Sequence, residues 1–282
     1  MLRPTADIVS AAVAGGHGVG AFNVVQLEHA AAIVAGAERA GTAVLLQISE
    51  NCVRYHRSLT PVLEGALAVA AESSVPVAVH LDHVETASLV RDGATHRIGS
   101  VMFDASTAPY AENVAATRQI AEFCHARGIW VEAELGEVGG KDGVHAPGVR
   151  TDPAEAREFV AATGVDALAV AVGSSHAMTT RDARLDFDLI TAIKSAVDVP
   201  LVLHGSSGVP DGDLARAVRS GITKVNISTH LNKVFTDEVR HRLGDGRLVD
   251  TRKYLGPARD RVAEEVARLL GVLDAVPAGS VR

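Results

Sequence analysis

Eight short β-rich runs, each followed by an Ala-rich stretch of helical periodicity, constrain this chain more than any other feature. The runs are Gly20–Asn23, Ala43–Ile48, Val77–Leu81, Ser100–Phe103, Trp130–Glu134, Ala167–Val172, Leu201–His204 and Lys224–Ile227. Amphipathic patterns lie between them over Glu28–Ala40, Pro61–Glu72, Ala111–Arg127, Asp152–Thr163, Phe187–Val197 and Asp211–Ser220, in segments filled by strong helix formers. Thr151-Asp152-Pro153 opens one helix with Pro in its first turn, and Gly41, Gly128, Gly164 and Gly221 each close one. Strict alternation predicts an α/β fold, a parallel (β/α)8 TIM barrel; a doubly wound open sheet is the structural alternative. The 282 residues suit one such barrel, since these run to about 250 residues as one unit. Residues 1–282 read as a single domain, with Asp237–Arg282 as a C-terminal helical extension packed against it.

Charge narrows the partners. The net charge is −7 and no basic block exists, so neither nucleic acid nor an anionic membrane is an expected partner. Met1–Ser10 carries Arg3 without a following apolar run, which does not suit a signal peptide. The longest apolar runs, near Val75–Leu81 and Ala167–Val172, fall far short of the ~20 residues of a membrane helix. Cys52 and Cys124 suit a reducing compartment, although a pair alone leaves a bridge open. A soluble cytoplasmic protein is the expectation.

The functional signal is positional. Each run is apolar and then ends in a residue able to do chemistry: Asn23, Ser49, Asp82-His83, Asp104, Glu134, His204 and Asn226, with His176 just past Val172. In a barrel those ends open on the active-site face. Helix N-caps and loop starts account well for Ser49 and Asp104, and poorly for three histidines and a Glu. His83, His176 and His204 can act as three neutral imidazole ligands on one metal with a position left open. Asp104 and Glu134 are neighbouring carboxylates, placed to support those imidazoles or to ligate a metal themselves. His80 shares the parity of Asp82 and reads as a hydrogen-bonded core histidine. Two further segments, Gly205-Ser206-Ser207 and Asn226-Ile227-Ser228-Thr229, follow strands seven and eight, where barrel enzymes frequently bind phosphate.

Five motifs in order resemble the class II fructose-bisphosphate and tagatose-bisphosphate aldolases. They are Leu81-Asp82-His83, Glu132-Ala133-Glu134-Leu135-Gly136 with Gly139-Gly140, Gly173-Ser174-Ser175-His176, Leu203-His204-Gly205-Ser206-Ser207-Gly208 and Lys224-Val225-Asn226-Ile227-Ser228-Thr229. The likeness runs from about Gly20 to Arg259. It implies that His83, His176 and His204 bind one catalytic Zn2+, and that Asp82 is the acid/base at the C4 hydroxyl or the aldehyde oxygen. It implies that Gly205, Ser207, Asn226, Ser228 and Thr229 hold dihydroxyacetone phosphate, that Ser49 touches the substrate, and that Asn23 lies with them. Arg252 resembles an arginine that binds the distal phosphate, in a neighbouring subunit of a homodimer or homotetramer; Arg259 is the fallback.

Two departures from the family pattern bear on the substrate. Asp142 stands where the family usually has a loop Glu that moves the enediolate proton. Ala177 follows the His176 position where the family usually has Gly, whose backbone helps bind phosphate or a monovalent cation. The expected reaction is reversible cleavage of a phosphorylated ketose to dihydroxyacetone phosphate and an aldehyde. Strand six has no Lys and Lys224 reads as the start of strand eight, away from the active face, so a metal is expected in place of a Schiff base. A barrel metal-dependent hydrolase and a catalytically weak sugar-phosphate-binding protein are the alternatives.

Overall fold

The computed structural model describes residues 1–135 and 150–274. Its strands are β1 (Val19–Asn23), β2 (Val44–Ser49), β3 (Val77–Val84), β4 (Ser100–Phe103), β5 (Trp130–Glu134), β6 (Ala167–Ala169), β7 (Leu201–Leu203) and β8 (Ile222–Ile227). They close in sequence order into a barrel, every neighbour pair parallel. The open-sheet alternative is thereby excluded. Each strand stands where the sequence placed it, but β6 and β7 stop earlier, at Ala169 and Leu203, and β3 runs on to Val84.

The helices are α1 (Thr5–Gly15), α2 (Leu27–Ala40), α3 (Glu50–His56), α4 (Thr60–Glu72), α5 (Ala87–Gly93), α6 (Tyr110–His125), α7 (Pro153–Thr163), α8 (Phe187–Ala196), α9 (Asp211–Ser220), α10 (Thr229–Leu243) and α11 (Arg252–Leu273). Asp152 caps α7 through its carboxylate, which accepts from the N–H groups of Ala154 and Glu155, with Pro153 at the first turn. Three helices had no counterpart in the sequence reading. The α3 and α5 helices are 7 residues each, too short to show a helical period. The α1 helix mixes small and apolar residues with little contrast between its faces.

Pleat parity sorts the strand residues into two cores. Val44, Leu46, Ile48, Val79, Leu81, Val131 and Ala133 face outward and pack under the helices. Facing inward, Ala21, Leu45 and Ala78 join Ile8 and Ala12 of α1, while Ala167, Ala169 and Val202 join Val9. Thus α1 plugs the end of the barrel where the strands begin. Burying Ile8 and Val9 there contributes roughly 1.5–3 kcal/mol each. At the C-terminal end α11 lies along α2 and α10. A Cβ on Gly36 of α2 would stand 2.7 Å from the carbonyl oxygen of Ala263, so the close approach of α11 needs glycine at that point.

Above the apolar plug the barrel interior turns polar. Gln47, His80, Ser100, Glu132 and Lys224 are all fully buried. Lys224 corrects the sequence reading: it stands inside β8, at the inward parity of Asn226, with its Nζ 2.7 Å from Glu132 Oε2. His80 is the hydrogen-bonded core histidine expected, with Nδ1 2.8 Å from Ser100 Oγ. Both cysteines are free and buried. Among the described residues no helix is long and apolar enough to cross a membrane.

Candidate active site

Asp82 points into the barrel by parity, so His83, the next residue, would by parity point out. The ladder between β3 and β4 shifts register between Leu81 and Val84, and His83 takes φ 47°. A bulge of this kind re-aims a side chain, and here it returns the His83 ring to the barrel mouth. His176 comes from the loop after β6, and His204 directly follows β7. Ligand-capable atoms of His83, His176 and His204 all lie within 4.8 Å of one another. The ring centroids are 4.7 to 5.6 Å apart. A second group overlaps the first: His83, Asp104 and Glu134 also lie within 4.8 Å of one another.

The donor set fits a divalent metal. His204 is fully buried, with Nε2 2.9 Å from Glu132 Oε1. Its other nitrogen, Nδ1, has no hydrogen-bond partner and stands 3.6 Å from Glu134 Oε2. A bare buried ring nitrogen beside two more imidazoles is costly unless a ligand completes it, and imidazole nitrogens suit zinc. Burial is the main force lowering the pKa of His204, and His83 adds to it, against the raising effect of Glu132. His83 goes the other way. Burial pulls it down, but Asp82, the hydrogen bond to Asp104, and Glu134 together outweigh burial and raise it to about 9. The acidic surroundings that stabilise an imidazolium there would equally attract a metal cation.

Asp82 is 3 % exposed. Burial pushes its carboxyl up, yet His83 foremost, then Lys224 and His204, hold it below the usual carboxylate range. Oδ2 accepts from Asn23 Nδ2 at 3.1 Å and from Gln47 Nε2 at 3.4 Å, and Oδ1 accepts from Asn226 Nδ2 at 3.4 Å. The carboxylate is thus ionised, aimed and ringed by amides.

A cavity of roughly 250 Å³ opens over these groups, lined among others by Ser49, Ala177, Gly205, Ser207, Ser228 and Thr229. Gly205 has φ 65°, and a Cβ there would meet the Ser175 carbonyl carbon and oxygen at 2.6 Å, so only glycine turns the chain here. Ser207 Oγ accepts from the backbone N–H of His230 at 3.1 Å, in the first turn of α10. Ser49 both lines the cavity and caps α3, accepting from the Cys52 N–H at 3.2 Å.

The structure gathers the histidine trio, Asp82, Asp104, Glu134, Asn23, Ser49, Ala177, Gly205, Ser207, Asn226, Ser228 and Thr229 at one barrel mouth. Three expected residues differ. The Ser206 hydroxyl turns away, onto the Leu203 carbonyl at 3.0 Å. The Ile227 side chain lies in the outer core, leaving only its backbone for a ligand. Arg252 has an 89 % exposed side chain paired with Asp250 and does not line the cavity of its own chain. Asp142 lies outside the described residues. Gln47 and Asn51 also line the cavity and were not anticipated; the signal for Gln47 is an amide in an apolar strand at the parity of Ser49.

Comparison with known proteins agrees with this geometry. The family model "Fructose-bisphosphate aldolase class-II" matches residues 3–276. A fructose-bisphosphate aldolase of Geobacillus stearothermophilus is 39% identical over 265 residues, covering 92% of each chain. One from Staphylococcus aureus (strain Mu50 / ATCC 700699) is 38% identical over 257 residues, covering 89% of this chain and 90% of its own. The crystal structure of the YdjI aldolase from Escherichia coli K12 superposes with a TM-score of 0.85 at 31% identity, covering 97% of both chains. A fold built strand by strand around Asp82 and three convergent imidazoles, matched along almost its whole length, places the chain in the class II fructose-bisphosphate aldolase family.

Proposed function

We propose that His83, His176 and His204 hold one zinc ion, and that Asp82 is the acid/base of a retro-aldol cleavage run at that centre. Family membership makes the protein a metal-dependent aldolase, a carbon–carbon lyase acting on phosphorylated ketoses. The observation that carries the finer reading is the convergence of three imidazoles within 4.8 Å on the mouth into which Asp82 points. Names of the relatives favour fructose bisphosphate as the first substrate to try, and favour carbon–carbon cleavage over hydrolysis.

When bound, the metal supplies a Lewis acid that stabilises negative charge developing on substrate oxygen. The chain's own residues do the rest. Asp82 takes the proton from the C4 hydroxyl as the carbon–carbon bond breaks, and returns it in the reverse direction. Its amide ring of Asn23, Gln47 and Asn226 holds the carboxylate oriented for that transfer. The phosphate of the dihydroxyacetone phosphate half sits at Gly205, Ser207, Ser228 and Thr229, where α10 begins and the positive end of the helix dipole favours an anion. Asp142 delivers the proton to the enediolate carbon. In this reading residues 1–282 form one barrel unit with α11 as its extension. The exposed Arg252 meets the distal phosphate of a neighbouring copy in a homo-oligomer.

Turnover of a ketose bisphosphate, followed as dihydroxyacetone phosphate release, tests the reading. Chelation should abolish activity and zinc should restore it, and His204→Ala should lose both metal and activity. Equal metal content in wild type and His204→Ala would refute the trio.

A further inference from the structure

A buried ion pair stands in the centre of the barrel where branched apolar side chains usually fill the space. Glu132 and Lys224 are both 0% exposed, 2.7 Å apart. Such a pair is a poor source of stability, because the cost of taking two charges out of water offsets most of their attraction. Its contacts give it a different use. Glu132 Oε2 faces the Lys224 ammonium, and Oε1 lies 2.9 Å from His204 Nε2. A carboxylate beside an ammonium is ionised and can only accept hydrogen bonds. The proton of the neutral His204 ring therefore sits on Nε2, and Nδ1 is bare. That bare nitrogen is the one with no partner in the structure, on the side of Glu134. Lys224 makes one further contact: Nζ stands 2.8 Å from Asn226 Oδ1. An ammonium has three donors and no acceptor, so the amide oxygen of Asn226 is fixed on Lys224 and its Nδ2 faces Asp82.

We propose that Glu132 and Lys224 are a positioning pair that sets which nitrogen of His204 faces the metal site and which end of the Asn226 amide faces Asp82. This rests on the reading of the histidine trio as that site. Neither residue lines the cavity, so both act through their neighbours.

Histidine-selective ¹⁵N NMR of the metal-free wild type, with His204 assigned by its loss in His204→Ala, reads the tautomer directly. The expected result is a protonated Nε2 and a bare Nδ1; the opposite tautomer overturns the proposal with no further variant. Glu132→Gln then tests the pair. Its amide oxygen should face Lys224 and its NH2 should face His204, which would drive the ring proton onto Nδ1. Zinc affinity, measured by chelator competition, should fall 10–100-fold while far-UV circular dichroism stays unchanged. A folded Glu132→Gln protein with the wild-type tautomer and wild-type zinc affinity overturns the proposal. A wild type that takes up no zinc but shows the expected tautomer overturns instead the metal reading beneath it.

Discussion

Nδ1 of His83 lies 2.8 Å from Oδ2 of Asp104, and that contact ties the strained end of β3 to the end of β4. Asp104 is itself fixed by Ser106, whose hydroxyl donates to Oδ1 at 2.6 Å. The carboxylate thus holds the ring of His83 in place and leaves Nε2 for a ligand. Asp104→Ala should cost 10–100-fold in zinc affinity or activity, with the fold intact. Chelator competition beside a urea denaturation curve checks this. A variant with wild-type affinity would make Asp104 a loop residue only.

Ala177 lines the cavity with φ 58°, a left-handed backbone that costs a residue with a Cβ about 1–3 kcal/mol. Glycine relieves that strain and returns part of the gain as chain entropy. Ala177→Gly should therefore raise stability by about 1 kcal/mol, seen as a higher denaturant midpoint at an unchanged slope. The lost methyl also widens the cavity that Ala177 lines, so the KM for a ketose bisphosphate should shift more than kcat. A lowered midpoint would show that the loop is relaxed in its present form.

His29 predicts how stability follows pH. It is buried in α2 with its ring 5.0 Å from that of Phe235. Nδ1 accepts from the Val25 N–H at 3.4 Å, and Nε2 has no partner. Burial lowers its pKa to about 4 from an ordinary 6.5. The unfolded chain takes up this proton as pH falls through 6.5, whereas the folded chain takes it up only near 4. Stability from the neutral ring is complete above 6.5 and is lost as pH drops towards 4, by about 3 kcal/mol in all. Urea denaturation of metal-free protein at pH 7 and pH 4.5 measures the fall, and His29→Leu should shrink it. An equal fall in the variant would assign the pH dependence elsewhere.

What the sequence revealed and what it hid have physical causes. The barrel mouth was legible because apolar runs give way there to residues able to do chemistry, so Asp82, His83 and His204 read as neighbours at one end. The direction of the His83 side chain was not legible, since simple alternation points it outward and only the bulge turns it in. Lys224 was hidden for the opposite reason. A charge inside a strand reads as a strand boundary, which moved the start of β8 from Ile222 to Lys224 and took the ammonium out of the barrel, so Glu132, read inside strand five, had no visible partner. Side-chain direction misled at Ser206 and Ile227, whose segments do lie at the site while their side chains turn from it. Arg252 does not line the cavity of its own chain; its exposed side chain pairs with Asp250.

In the proposed reaction Asp82 moves a proton and does more than hold His83. Its carboxylate is buried, ionised and aimed by three amides. An acid/base contributes about 10²–10⁴-fold in rate with metal still bound, whereas a residue that only orients a ligand affects metal retention. Exchange of the dihydroxyacetone phosphate C–H proton with solvent does not need the C4 hydroxyl proton, so it separates the two roles. Metal content, cleavage and exchange should therefore be measured together on Asp82→Ala. The expected result is retained zinc, cleavage down about 10²–10⁴-fold and exchange largely preserved. Joint loss of zinc, cleavage and exchange would contradict it and reduce Asp82 to a support for His83.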